Sequence, residues 1–202
     1  MANGSEVEAK LTLSESDFYR LRERGRVVGQ MDQLNIYYDS EGRLSALKAT
    51  LRVRMSHGAA PVLTLKLPVR QNGSVRHAVE IETPLARGAS ILRKRKVKVP
   101  DEIPPEFTLH LSELAIHHLC RVGWMRTLRQ VVRLPNRVTI ELDHVRLPNG
   151  SQFFEVEIED SDSKARDKAV RTIKRFAKSA SPSLQSKFER FHEAMSTRLE
   201  KA

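Results

Sequence analysis

Apolar and charged residues alternate one for one through several stretches of this chain, and the stretches fall into two groups. Leu51, Val53 and Met55 alternate with Arg52 and Arg54, and Leu63, Leu65 and Leu67 alternate with Thr64 and Lys66. Val79 and Ile81 oppose Glu80 and Glu82, with Arg76 in phase with the two acids. In the second group Ile140 and Leu142 oppose Glu141 and Asp143, while Val156 and Ile158 oppose Glu155, Glu157 and Glu159. A period of two marks a β-strand with unlike faces. Strands are predicted over 5–13, 26–38, 49–56, 61–68, 74–83, 124–133, 136–145 and 151–160. His57-Gly58, Gln71-Asn72-Gly73 and Pro148-Asn149-Gly150 supply turns between them.

Helical patterning fills the rest. Ser14 with Asp17 three residues on has the form of a capping box and opens a helix over 14–25. An insert over 84–121 changes to helix and loop, with Pro100, Pro104 and Pro105 as punctuation and its main helix over 106–120. Two basic, amphipathic helices are expected over 163–180 and 183–200, interrupted at Ser181-Pro182. The expected organisation is one domain over 1–202, with a barrel over about 5–160, the insert, and C-terminal helices over 163–202.

The charged faces decide the fold class. Eight strands with no obvious edge-blocking device favour closure into a barrel. The amphipathic helices need an apolar sheet surface to cover, which leaves the charges inside. The prediction is an α+β fold, an eight-stranded antiparallel closed β-barrel with a charged interior and helices packed outside. An open antiparallel sheet with one solvated face also accounts for the alternation. In a closed tunnel the charges must pair or hold a ligand, because an unpaired buried charge costs several kcal/mol.

Charge narrows the ligand. Thirty-five Lys and Arg against 25 Asp and Glu give a net charge of +10, which suits a polyanion: nucleic acid, polyphosphate or an acidic membrane surface. The single cysteine, Cys120, excludes an internal disulfide and a cysteine-rich zinc site and points to a reducing compartment. No run reaches transmembrane length, and 1–8 lacks the features of a signal peptide, so a cytoplasmic location without membrane association is expected. Within the lumen, Lys10, Arg52, Arg54, Lys66, Arg76 and Arg129 are candidate phosphate ligands. Glu6, Glu8, Glu155 and Glu157, with Glu82 or Asp143 alongside, offer hard oxygen ligands that favour Mg²⁺ or Mn²⁺ over zinc. Cations for phosphate beside acids for a divalent metal are the parts of phosphoryl transfer.

These motifs resemble the CYTH domain, or triphosphate tunnel metalloenzyme, family. Glu6-Val7-Glu8-Ala9-Lys10 is similar to its ExExK signature, Leu51-Arg52-Val53-Arg54 to its LRxR strand, and Thr64-Leu65-Lys66 to its TLK strand. Arg76 with Glu80 and Glu82, Arg129 ahead of Asp143, and Glu155-Val156-Glu157 follow in the family's order. The resemblance implies a tunnel fold and metal-dependent hydrolysis of a triphosphate. Glu6, Glu8, Lys10 and Lys66 would be catalytic; Lys10, Arg52, Arg54, Lys66, Arg76 and Arg129 would bind phosphates; Glu6, Glu8, Glu155 and Glu157 would hold metal, with Glu82, Asp143 or Glu159 completing the shell. Two Mg²⁺ or Mn²⁺ ions are expected, one orienting the triphosphate and one positioning water.

Members include tripolyphosphatases, thiamine triphosphatases, RNA triphosphatases and class IV adenylyl cyclases. Thr50 stands where thiamine triphosphatases carry a Trp, and Ala78 replaces a residue often polar or basic. Inorganic tripolyphosphate is then the most economical substrate. The alternatives are an organic triphosphate, a cyclase, or a non-catalytic module for polyphosphate or RNA 5′ ends. Tyr37 resembles a tyrosine that some members pair with the TLK lysine, and reads equally as a packed aromatic. The basic run 92–98 reads as a solvated, mobile lobe near the tunnel mouth, with RNA binding as the alternative. His117-His118, placed on a helix, point about 100° apart and chelate poorly. Trp124 and Cys120 read as packing residues, and the cations of 164–175 as a solvated helix face.

Overall fold

The computed structural model describes residues 2–72, 75–135, 137–160 and 162–199, with side chains undescribed at 2–6, 70–72, 76 and 195–199. Ten strands form one sheet: β1 (Ala2–Leu13), β2 (Arg26–Asp39), β3 (Thr50–Ser56), β4 (Val62–Asn72), β5 (Val75–Pro84), β6 (Lys96–Lys98), β7 (His118–Arg133), β8 (Thr139–Arg146), β9 (Gln152–Glu159) and β10 (Ser181–Pro182). Eight of them close a barrel in the order β1-β5-β4-β3-β2-β7-β8-β9, and β9 returns to β1 with Glu8 opposite Glu159 and Lys10 opposite Glu157. All pairings are antiparallel. β3 and β9 stand four strands apart in either direction, so their inward side chains face one another across the lumen.

Parity sorts the side chains as the alternation predicts. Leu51, Val53, Leu63 and Leu65 are fully buried on the outside of the barrel, where they join Phe107 and Leu111 of the helix α3 (Pro105–Glu113). Across the barrel Leu11, Leu142 and Val156 pack against Phe18 and Leu21 of α1 (Glu15–Arg24) and Ile173 of α4 (Ser163–Phe176). α1 starts where expected, with the Ser14 side chain accepting a hydrogen bond from the Asp17 amide. A short helix, α2 (Arg43–Ala46), and the helix α5 (Lys187–Leu199) complete the fold. Among the described residues no helix is long and apolar enough to cross a membrane.

Three expectations differ from the structure. The helix of the insert stops at Glu113, not 120: Ala115 takes φ +52° and the Ile116 amide bonds back to Leu111 O, which turns the chain into β7. β7 therefore begins at His118 rather than 124, and His117-His118 do not lie on a helix. The basic run is solvated as expected, with Arg93, Lys94, Arg95, Lys96 and Lys98 exposed, but its end is pinned, because β6 pairs with β7 at His118–Cys120 and Val97 is fully buried. Nor does it border the cavity described below, which meets β7 at Arg129, nine residues and roughly 30 Å of strand away. The tail helices are also shorter than expected, and residues 181–182 serve as β10, extending the edge of β1 where β5 ends.

Candidate active site

The inward side chains of the strands do not form one uniform lining. At one end they enclose a cavity of about 390 Å³ lined by Lys10, Arg52, Arg54, Lys66, Arg129 and Lys187 and by the acids Glu8, Glu80, Glu82, Glu141, Glu157 and Glu159. At the other end the inward residues are Tyr37, Met125 and Val145, and Phe188 and Phe191 of α5 fill the space between them. Tyr37 stacks on Phe188 with centroids 5.0 Å apart and planes 19° apart. Gly123 admits Phe191: a Cβ there would lie 2.3 Å from Phe191 Cζ.

The cationic wall comes from β3 and β4. Arg52 and Arg54, two residues apart on β3, point the same way, and their Nε atoms are buried without a hydrogen-bond partner among the described residues. Their mutual repulsion has a measurable consequence. The positive field of Arg52, then burial, pushes the Arg54 guanidinium down to about 10. Burial opposes the charge of Arg52 too, but Tyr37, Glu80 and Glu82 outweigh it and raise its pKa, so an anion bound between the two guanidiniums would chiefly relieve Arg54. Lys66, on the neighbouring strand, reaches Glu80 at 3.2 Å and Glu8 at 3.6 Å. Thr64 donates to Glu82 at 2.8 Å.

The acidic wall comes from β8, β9 and β1, and it is densely braced. Arg129 donates from Nε to Asp143 Oδ1 at 2.8 Å and from Nη2 to Asp143 Oδ2 at 2.7 Å, and it also contacts Glu141 and Glu157. Burial opposes the charge of Arg129, but Glu157 and Asp143 outweigh it and raise its pKa. Burial likewise opposes ionisation of Glu157, yet Lys10, Lys187 and Arg129 hold it well below the usual carboxylate range. Glu141 is the exception on this wall. Burial, only partly offset by Arg129, pushes its carboxyl up to about 7. Lys10 bridges the wall, 2.7 Å from Glu157 Oε1 and 3.4 Å from Glu8 Oε1.

Glu8, Glu157 and Glu159 each present a carboxylate oxygen within 4.8 Å of the other two, a hard-oxygen set of the kind that holds a divalent ion. Glu155, expected in that role, is set deeper. It does not line the cavity; it is fully buried beside Ser183, Lys187 and Arg190, and Glu159 stands at the cavity in its place. Arg129, expected to face phosphate, lines the cavity but spends its guanidinium on three carboxylates. The side chains of Glu6 and Arg76 lie outside the described residues; their backbones pair with Ala78 and Glu8. Tyr37 belongs to the aromatic end, and Thr50 lines the cavity.

Lys187 is the residue that sequence reasoning missed. Its ammonium lies 2.7 Å from Asp143 Oδ2 and 3.5 Å from Glu155 Oε2, and it contacts Glu157. Burial works against its charge, but Asp143, Glu157 and Glu155 raise its pKa. The signal was present as a lysine just ahead of Phe188 and Phe191, an aromatic pair at helical spacing.

The CYTH domain family model matches residues 4–192, nearly the whole chain and all of the barrel. The chain belongs to the CYTH domain family. Among solved structures, this CYTH barrel is similar to HpAC1 from Hippeastrum, a proposed adenylyl cyclase with a dominant triphosphatase activity. The two are 21% identical with a TM-score of 0.74, covering 94% of this chain and 96% of that one. It is similar also to a proposed adenylate cyclase from Bacillus halodurans, at 22% identity and a TM-score of 0.75, covering 95% and 99%. A Pyrococcus horikoshii protein shares 22% identity at a TM-score of 0.59, covering 94% and 99%. At these identities the likeness concerns the fold. No curated protein matches the sequence.

Proposed function

We propose that this CYTH protein hydrolyses the terminal phosphate of a triphosphate in the presence of Mg²⁺ or Mn²⁺, with inorganic tripolyphosphate as the preferred substrate. The observation that carries the reading is the pair of adjacent, half-buried guanidiniums, Arg52 and Arg54, facing a carboxylate trio across the lumen. A pure phosphate binder needs the first group and gains nothing from the second. The fold does not choose among family activities, and HpAC1 carries both a cyclase designation and a triphosphatase activity. The choice rests on residues: the cavity lining includes Thr50 and no aromatic other than Tyr37 and Phe188, which stack on each other. Both rings are buried and also pack against Phe191, so neither offers a face for a base or a thiazole.

Arg52 and Arg54 would grip the phosphate chain, relieving their own repulsion as they do so, with Lys66 at its side. Lys10 would turn from Glu8 and Glu157 to the substrate. The fit of a hard divalent ion to Glu8, Glu157 and Glu159 rests on their converging oxygens; once bound it would neutralise phosphate charge and activate water. Arg129 would hold Glu157 and Asp143 in place rather than touch substrate.

The test is phosphate release from tripolyphosphate, ATP and thiamine triphosphate, with Mg²⁺ and with EDTA. Fast, EDTA-sensitive release from tripolyphosphate is expected. Glu8→Gln should lose at least ~10³-fold in kcat while its circular dichroism is unchanged. Tight tripolyphosphate binding without turnover of any substrate would replace this reading with that of a binding module.

A further inference from the structure

Three ammonium groups, Lys10, Lys66 and Lys187, stand among the tunnel carboxylates, and their situations differ. Lys10 lines the cavity beside Lys66 and could exchange Glu8 and Glu157 for a phosphate in the same space. Lys187 also lines the cavity, but its carboxylate partners include two that lie outside the lining, Asp143 and Glu155. Its Nζ is held by Asp143 at 2.7 Å, Glu155 at 3.5 Å and Glu157, so that carboxylates of β8 and β9 converge on one nitrogen from α5. Asp143 and Glu155 are fully buried, and Phe188, next in the chain, packs in one cluster with Tyr37 and Phe191. Withdrawing the ammonium would strand two buried carboxylates with only Arg129 and Arg190 to balance them.

Three carboxylates converging on one point are what a divalent ion asks of a protein. Here that point carries a nitrogen that already has a positive charge. A divalent ion drawing on Asp143 and Glu155 would meet it at close range, like charge against like charge. Resting on the metal-dependent reading above, we propose that Lys187 is a built-in cation that takes the place of a second divalent ion at Asp143 and Glu155, so that among the described residues one ion site remains, at Glu8, Glu157 and Glu159, where the family resemblance predicts two ions. Lys187 is thus a positioning residue: it holds Asp143, Glu155 and Glu157 for the ion and the arginines without touching substrate.

Mn²⁺ binding to the full chain, counted by equilibrium dialysis and by electron paramagnetic resonance, tests this directly. One ion per chain is expected for the unmodified protein and two for Lys187→Met, with exchange-broadened Mn²⁺ signals in the variant alone. Two ions in the unmodified protein would overturn the inference and leave the triphosphatase reading intact. So would a folded Lys187→Met that still binds one. No ion in the unmodified protein would strike the metal-dependent reading itself, and the inference would fall with it. Should Lys187→Met fail to fold, the count in the unmodified protein remains decisive, with Glu159→Gln expected to reduce it to none.

Discussion

Along β7 the inward positions run from Arg129 through Thr127 and Met125 to Gly123, and along β8 from Glu141 and Asp143 to Val145. The same strands, read in the same parity, thus build two unlike regions of one lumen. The charged region is hollow and carries buried polar atoms without partners; the apolar region is filled by Phe188 and Phe191. Stability comes from the second, where large rings are buried against one another. The first gives up stability, holding Arg52 beside Arg54, for the capacity to bind.

That contrast can be broken by substitution. Phe191→Ala should cost about 3–5 kcal/mol in urea unfolding, as for other large aromatic deletions, while tripolyphosphate affinity of the folded fraction changes little. Comparable losses of affinity and stability would show the two regions to be one unit. Arg54→Met should do the reverse. A lost charged contact of about 2–3 kcal/mol lowers kcat/KM by roughly 10²-fold, and the melting temperature should hold or rise because Arg52 loses its repelling neighbour. A fall in melting temperature would mean that Arg54 supports the fold.

The smallest expected effect is a pH dependence. With its carboxyl pushed up to about 7 by burial, Glu141 is neutral in mildly acid solution and gains a negative charge as pH rises through 7. The added charge repels a polyanion, so KM for tripolyphosphate should rise a few-fold between pH 6 and 8, and Glu141→Gln should flatten the rise. Its contribution to stability has the same sign: the folded protein holds this proton more tightly than the unfolded chain, so stability declines from the ordinary value of 4.5 up to about 7 and is level above. An unchanged KM profile in Glu141→Gln would assign the pH dependence to the substrate's own ionisation.

Much of this was legible in the chain because alternation records which face of a strand looks inward. Leu51-Arg52-Val53-Arg54 is enough to place two arginines in the lumen. Alternation says nothing of depth. Glu155 and Glu159 share a parity, and only the position of α5 decides that the first is sealed against Lys187 while the second borders the cavity. The start of β7 was hidden for a different reason. The ladder skips Val122 between Arg121 opposite Tyr38 and Gly123 opposite Tyr37, so the period of two breaks there. Before the break, Leu111 and Leu119 fall eight residues apart and extend a helical pattern past its true end at Glu113.

β1 is the seam of the barrel: it supplies Glu8 and Lys10, and it pairs with β5, with β9 and with β10. During synthesis β1 therefore waits for β9 before the wall can close. The nascent chain can assemble β2 to β5 beforehand, but the carboxylate trio needs Glu157 and Glu159, and the counter-charge from Lys187 arrives later still. A chain cut short before β9 therefore lacks both the closed wall and the counter-charge that the proposed site requires.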